Sequence, residues 1–320
     1  MRIAMLSYHT CPLAILGGKD SGGMNVYVRE LTRFLGQAGV QVDVFTRSQD
    51  EHVPHVLHDL GYCNRVVHVN AGPEFPLPKK ELPQYLPRFA EGILDFASRK
   101  GFTYDLIHSH YWMSGIAAEM LQNAWHVPVV HMFHTLGHMK NKVAQHPSEV
   151  EGDYRLQGEQ HCMDIADRII ASTPAEVDQM TTLYRLDPGK VEVIPPGVDL
   201  SHFYPIPKDE ARAAIGIAQD VQMILFVGRI EPLKGIDTLL KALALMREEC
   251  HFAECPFQLV IIGGDPDSSL DQASSEMTRL KSLCNSLRLD DMVLFLGKKD
   301  QSTLPYYYSA AEVLVMPSYY

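Results

Sequence analysis

"LFVGRIEPLKG", residues 225–235, decides how the chain is read. An apolar run from Met223 to Val227 stops at Gly228, and Arg229 and Lys234 follow closely. Ile236, Leu239, Leu240 and Leu243 then recur at helical spacing. The stretch therefore reads strand, loop, helix. Lys234 falls at the start of that helix, where the macrodipole is positive and a cation is disfavoured. A purely structural loop would carry Asp or Ser there. Holding an anionic diphosphate between the two cations and the helix N-terminus offsets the unfavourable placement. The competing reading is a solvated lysine beside a salt-bridged arginine.

The same alternation extends in both directions. Upstream, "RIAMLS" (2–7), "VQVDVFT" (40–46), "NRVVHV", "YDLIHSH", "VPVVHMF", "DRIIAS" and "KVEVIP" read as strands. Between the first two, "GMNVYVRELTRFLGQAG" (23–39) carries Val26, Val28, Leu31, Phe34 and Leu35 at helical spacing, and Gly39 suits a helix stop. Downstream, "FQLVIIGG", "MVLFLG" and "AEVLVMPSYY" continue the pattern. Alternating strands and helices imply parallel sheets covered on both faces. "VIPPGVDLSHFYPIPKDE" (193–210) separates two such patterns with prolines and a glycine. The expected fold class is α/β, with two Rossmann-like domains over residues 1–204 and 205–320, of roughly seven and about four strands. The Pro-rich "AGPEFPLPKKELPQYLP" (71–87) reads as a functional excursion. The chain stops shortly after an apolar strand with no helix to cover it, so the second domain reads as truncated and the chain as a fragment.

Composition narrows the function. With 46% apolar and 21% charged residues over 320 positions, the chain has ample core for about two domains. The net charge of −11 argues against a nucleic-acid partner, which calls for a basic stripe, but leaves room for a local anion pocket. No apolar run approaches the ~18–20 residues of a membrane span. The N-terminus lacks a signal-peptide pattern. Six scattered cysteines without a CxxC read as reduced thiols, which together with the missing signal points to the cytoplasm.

Three glycine-bearing turns follow strands: "GGKDSGG" (17–23), "VGRIEPLKG" and "GGDPDSS" (263–269). None matches a dinucleotide or P-loop fingerprint. A Gly-Gly pair before a helix admits a ligand close to the backbone, although an ordinary tight turn has the same composition. Histidines are dense: His108, His110, His131, His134 and His138. No HExxH or Cys/carboxylate spacing accompanies them, so no metal is expected. His108 and His131 alternate with apolar neighbours and suit the core. His110 and His134 end two strands, the edge where open α/β sheets bind ligands.

Five motifs in order, "GGMNVYVREL", "YDLIHSHYW", "HTLGHMKN", "IPPGVD" and "VGRIEPLKG", resemble the retaining glycosyltransferases of family 4, and the likeness runs from residue 1 to 320. The resemblance implies the GT-B fold, with an acceptor-binding first domain and a nucleotide-sugar-binding second domain. It implies transfer of a hexosyl group from a nucleotide-diphosphate sugar to a small sugar or inositol-type acceptor, with no cofactor beyond that co-substrate. By position, Arg229 and Lys234 match the pair on the donor diphosphate, Gly23 and Asn25 the N-terminal loop facing the sugar phosphate, and His134 the histidine beside the donor hexose. Lys80, Tyr111, Thr135 and Arg155, with Asn25, match acceptor-binding positions. The family's E-x₇-E motif, expected just after "MPSYY", is missing.

Elementary chemistry agrees with the resemblance. Breaking a sugar–diphosphate bond builds charge on the leaving group, and fixed cations stabilise that transition state more than the ground state. His134 would position the hexose and support positive charge, not act as a base. Two cations, a phenol and a hydroxyl suit an acceptor phosphomonoester, unless Lys80 is solvated and Arg155 pairs with Glu159 one turn on. Two other readings stand beside this one: a nucleotide-sugar epimerase, for which no set of acid/base carboxylates is identifiable, and a truncated, non-catalytic sugar-nucleotide-binding relic.

Overall fold

The computed structural model describes residues 1–14, 22–144, 147–249, 256–264 and 275–319. Most of "GGKDSGG", most of "GGDPDSS", Cys250 and Cys255 lie outside the described residues. The chain divides into two compact units, Met1–Pro196 and Gly197–Tyr320. The division falls at 196/197, within the Pro-rich connector but ahead of the expected 204/205. The reason is packing. His202 Nε2 lies 3.1 Å from the Gln301 carbonyl, the Ile206 N–H donates to Ser309 Oγ at 3.2 Å, and Phe203 meets the Tyr308 ring. Residues just past the prolines thus belong to the second unit.

In the first unit the strands are β1 (Arg2–Leu6), β2 (Gln41–Arg47), β3 (Val56–Leu57), β4 (Arg65–Val69), β5 (Leu106–His110), β6 (Val129–Met132), β7 (Arg168–Ala171) and β8 (Val191–Val193). They pair in the order β3-β4-β2-β1-β5-β6-β7-β8, and every pair is parallel except β3 with β4. The helices are α1 (Gly23–Gln37), α2 (Leu86–Lys100), α3 (Trp112–Trp125), α4 (Gly137–Val143), α5 (Asp153–Ile165) and α6 (Pro174–Tyr184). Alternate residues of β1 serve opposite faces: Ala4 and Leu6 join a cluster with Phe89 and Leu121, while Ile3 and Met5 pack with Val28. That two-sided burial is why this strand shows no polar alternation. The excursion 71–87 contains two short 3₁₀ turns, Lys79–Glu81 and Pro83–Tyr85.

The second unit holds α7 (Lys208–Ile215), β9 (Gln222–Val227), α8 (Ile236–Glu249), β10 (Phe257–Ile262), α9 (Ser275–Ser286), β11 (Val293–Gly297), α10 (Leu304–Ala310) and β12 (Val313–Leu314). Its parallel sheet runs β11-β10-β9-β12. Ile224 and Phe226 of β9 pack with Leu240 and Leu280, and Met223 and Leu225 with Ala211 and Tyr307. The edge strand differs: Val313 and Leu314 remain 48% and 45% exposed. Both sheets are Rossmann-like, and both present their C-terminal strand ends to the loops that carry the candidate residues. Among the described residues, no helix is long and apolar enough to cross a membrane.

Candidate active site

In the second unit, β9 ends at Val227 and the chain turns through Gly228 and Arg229 into a 3₁₀ turn, Pro232–Lys234, before α8. Gly235 ends that turn at φ +63°, and a Cβ there would collide with the Pro317 carbonyl. Gly235 therefore answers to both backbone sign and a close approach. The Tyr319 N–H donates to the Leu233 carbonyl at 3.0 Å, which ties "MPSYY" to the same turn. A Cβ at Gly263, after β10, would likewise strike the Gly228 carbonyl, so the loops after β9 and β10 are in backbone contact. Arg229 Nη1 pairs with Glu231 at 2.8 Å, and both side chains are partly exposed. Lys234 is half-buried, and its amine is held below the usual lysine range, by burial first and by the Arg229 charge second, with Glu231 opposing. Each cation makes the other less comfortable. An arriving dianion relieves both, a structural loop does not.

In the first unit, the ends of β5 and β6 bring His110, Tyr111, His134 and Thr135 together; the Tyr111 N–H donates to the Met132 carbonyl at 2.9 Å. Tyr111, with φ +71° and ψ +149°, and His134, with φ +61°, take backbone conformations that favour glycine. Such strain costs about 1–3 kcal/mol per residue and concentrates at functional sites. His134 Nε2 lies 3.0 Å from His110 Nδ1, and the Tyr27 ring packs edge-on against both imidazoles. Burial pushes the His134 imidazole down to about 3 and His131 to about 3, with neighbouring histidines adding to it. His134 is neutral at physiological pH. His108 and His131 are buried, as core residues. Among the described residues, no group of three or more His, Cys, Asp or Glu side chains is placed to hold a metal ion.

Arg155 is 2% exposed and fully engaged. Its Nε donates to Glu159 at 2.8 Å, Nη1 to Glu151 at 2.7 Å, and Nη2 to both the carbonyl and Oγ1 of Thr135 at 3.1 Å. The pairing with Glu159 expected as the alternative is present. The guanidinium also lies over the Tyr111 ring, 5.1 Å from its centroid. Burial pushes the Tyr111 phenol up to about 12, with Arg155 opposing, so it remains a hydrogen-bond donor. Glu151 bridges Arg155 and Lys140, and its backbone is clasped by the Asn141 amide at 2.7 and 3.0 Å. The carboxylate thus sits between two cations.

Two further residues expected at the acceptor, Asn25 and Lys80, sit in contrasting surroundings. Asn25, expected among acceptor-binding residues, is 1% exposed. Its Oδ1 accepts from the Gly22 N–H at 2.9 Å, and Nδ2 donates to Thr10 Oγ1 at 2.6 Å and the Cys11 carbonyl at 2.7 Å. The side chain caps α1 and pins the β1 loop, with both amide N–H groups engaged. Lys80 is exposed on its 3₁₀ turn. Its neighbour Lys79 instead lines a cavity of about 500 Å³, with His9, Cys11, Arg47 and Leu82 among the walls. The His9 and Tyr111 rings meet at a tilt with centroids 4.5 Å apart, connecting that cavity to the strand-end cluster. Gly23 opens α1, and among the described residues a Cβ there meets nothing within 4 Å. Sequence reasoning missed His110 as the partner of His134, Tyr27, Glu151 and the contacts of Glu159 with Gly137 and Tyr184; the "HSH" spacing was the visible signal for the first.

Comparison with known proteins agrees with this geometry. A family model described as Glycosyltransferase Family 4 matches residues 21–202, and one described as Glycosyl transferases group 1 matches residues 207–320. The chain is 42% identical to D-inositol 3-phosphate glycosyltransferase 2 of Catenulispora acidiphila, over 99% of this chain and 74% of that protein. It is 41% identical to D-inositol 3-phosphate glycosyltransferase of Kineococcus radiotolerans, over 99% and 72%. Its structure resembles sucrose-phosphate synthase from Thermosynechococcus elongatus with a TM-score of 0.86 at 35% identity, covering 100% of this chain and 76% of that one. Anabaena Alr3699/HepE, at 18% identity and a TM-score of 0.68, covering 99% of this chain and 74% of that one, shares the fold.

Proposed function

The chain belongs to glycosyltransferase family 4 and is a GT-B glycosyltransferase; on that premise we propose that it moves a hexosyl group from a nucleotide-diphosphate sugar to a small phosphorylated sugar or inositol-type acceptor, with retention. The observation that carries the reading is the Arg229–Lys234 pair, two cations held beside each other with Lys234 partly desolvated. They take the diphosphate, and their charge meets the negative charge that develops as the anomeric bond breaks. His134 positions the hexose, and Gly23 leaves the donor room. Tyr111, Thr135, Arg155 and Lys80 serve the acceptor: Tyr111 and Lys80 by direct contact, Arg155 by holding Thr135. The names of the relatives, which refer to inositol 3-phosphate and sucrose phosphate, support an acceptor of this class. We place the enzyme in the cytoplasm, where thiols such as those of Cys11, Cys63, Cys162 and Cys284 stay free. The test is a matched pair of acceptors, inositol phosphate against inositol and hexose phosphate against hexose, assayed with labelled nucleotide sugars. One phosphorylated acceptor should show a clearly higher kcat/KM than its free form; equal values for both pairs contradict the phosphate reading.

Two variants probe single assignments. Gly23→Ala adds a methyl group where the fold has space, so the melting temperature should hold or rise. If the space is for the donor, transfer should fall by about tenfold, near the ~1.4 kcal/mol that one misfitted contact represents. Unchanged transfer would remove Gly23 from the donor site. Glu151→Gln removes the internal anion between Lys140 and Arg155. The KM for a phosphorylated acceptor should fall by roughly three- to tenfold, the scale of one charge-assisted contact, with little change for the free acceptor. Equal effects on both acceptors would separate Glu151 from phosphate recognition.

A further inference from the structure

The end of β5 and the turn after β6 place two neutral imidazoles against each other with one hydrogen bond between them. His110 Nδ1 and His134 Nε2 are 3.0 Å apart. A single proton lies on that line, and only two arrangements exist. In the first, His110 donates Nδ1–H and keeps a bare Nε2, while His134 carries its proton on Nδ1. In the second, His134 donates Nε2–H, and His110 carries its own proton on Nε2. His110 is 0% exposed, and its Nε2 has no hydrogen-bond partner among the described residues. The second arrangement therefore strands a buried N–H donor, which native interiors tolerate less readily than an under-satisfied acceptor.

The groups facing the pair do not change this choice. His108 packs 4.3 Å from the His110 ring, and Tyr27 lies edge-on to both members. His131, on the neighbouring strand, is engaged through Nδ1 with Ser109 Oγ at 2.7 Å. Among the described residues no carboxylate is hydrogen-bonded to either imidazole of the pair, and burial lowers the pKa of both rings, which disfavours their protonated forms.

We propose that His110 is a positioning residue: it donates its Nδ1–H to His134 Nε2 and so fixes His134 as the Nδ1–H tautomer. His134 then offers the donor hexose an N–H and no lone pair, so it can bind a sugar hydroxyl oxygen and cannot take up a proton as a base. His134 holds this contact from a left-handed backbone, φ +61°. The inference rests on the reading of His134 as the residue beside the hexose.

The experiment is ¹⁵N-histidine NMR of the full chain. His134 should show a protonated Nδ1 and an unprotonated Nε2 at pH 7. Protonated Nε2 on His134 would overturn the proposal without any assay. His110→Asn, whose amide places an N–H near the former Nδ1, should keep kcat within about threefold, whereas His110→Leu should lower kcat by about ten- to a hundredfold through misplacement of His134. In His110→Leu the tautomer signature should become mixed. Full turnover with an unchanged signature in that variant would also overturn the proposal. His134→Ala separates the two levels: near-normal turnover there would sink the hexose reading, while the wild-type NMR signature still decides the tautomer.

Discussion

Glu159→Ala is expected to cost the first unit about 3–5 kcal/mol, the scale for removing one partner of a buried ion pair. Glu159 is 0% exposed and accepts from three donors. Arg155 Nε donates at 2.8 Å, the Gly137 N–H reaches both oxygens at 3.0 and 2.9 Å, and the Tyr184 hydroxyl donates as well. Alanine leaves the Gly137 N–H, the Tyr184 phenol and the buried Arg155 Nε–H without that acceptor. A domain's whole margin is about 5–15 kcal/mol, so this is a large fraction of it. The loop 134–137 hangs between Arg155 and Glu159, so transfer should fall with stability. Urea unfolding of the full chain, followed by a probe in the first unit, measures the loss. Glu159→Gln, which keeps the size and an acceptor, should lie between. A Glu159→Ala protein within about 1 kcal/mol of wild type would mean that the network contributes little, since even ordinary surface changes approach ±0.5 kcal/mol.

Lys234→Ala and Arg229→Ala should each lower turnover by roughly 10²–10³, the range for losing one electrostatic stabiliser of a developing charge. The folded state should not suffer. Lys234 is held in an unfavourable place by burial and by Arg229, and Arg229 is 39% exposed beside Glu231. Removing either cation relieves repulsion in the free protein, so melting temperatures should stay level or rise slightly. Loss of activity without loss of stability marks a residue whose placement serves the reaction. Retained turnover at saturating donor in either variant would take that residue out of the clamp.

Much of this was legible in the sequence, and the exceptions have physical causes. The strands of both sheets read directly from runs such as "RIAML" and "QMILFV", because a two-sided core demands continuous apolar residues. The two-residue β3 escaped, since Val56 and Leu57 sit among prolines and histidines with no period to read. Helix α4, "GHMKNKV", has no apolar stripe; its first N–H is tied to Glu159, a residue from the next helix. The strand–turn–helix that carries Arg229 and Lys234 was visible because strand, glycine, cation and helix follow one another along the chain. The tertiary partners of Asn25 and Arg155 were not legible, because a polar residue looks available until the fold brings acceptors to its donors. The His110–His134 pair depends on a left-handed backbone at His134, and the identity of a histidine does not announce its φ.

The most direct measurement is single-turnover cleavage of a labelled nucleotide sugar by the wild type and Lys234→Ala at saturating donor, with donor affinity measured in parallel by calorimetry. If the cation meets charge that appears as the bond breaks, the cleavage rate should fall by roughly 10²–10³ while donor Kd rises by less than about tenfold. Equal cleavage rates once donor is saturating, with the whole deficit in Kd, would show that Lys234 only binds the ground state and would contradict the leaving-group role.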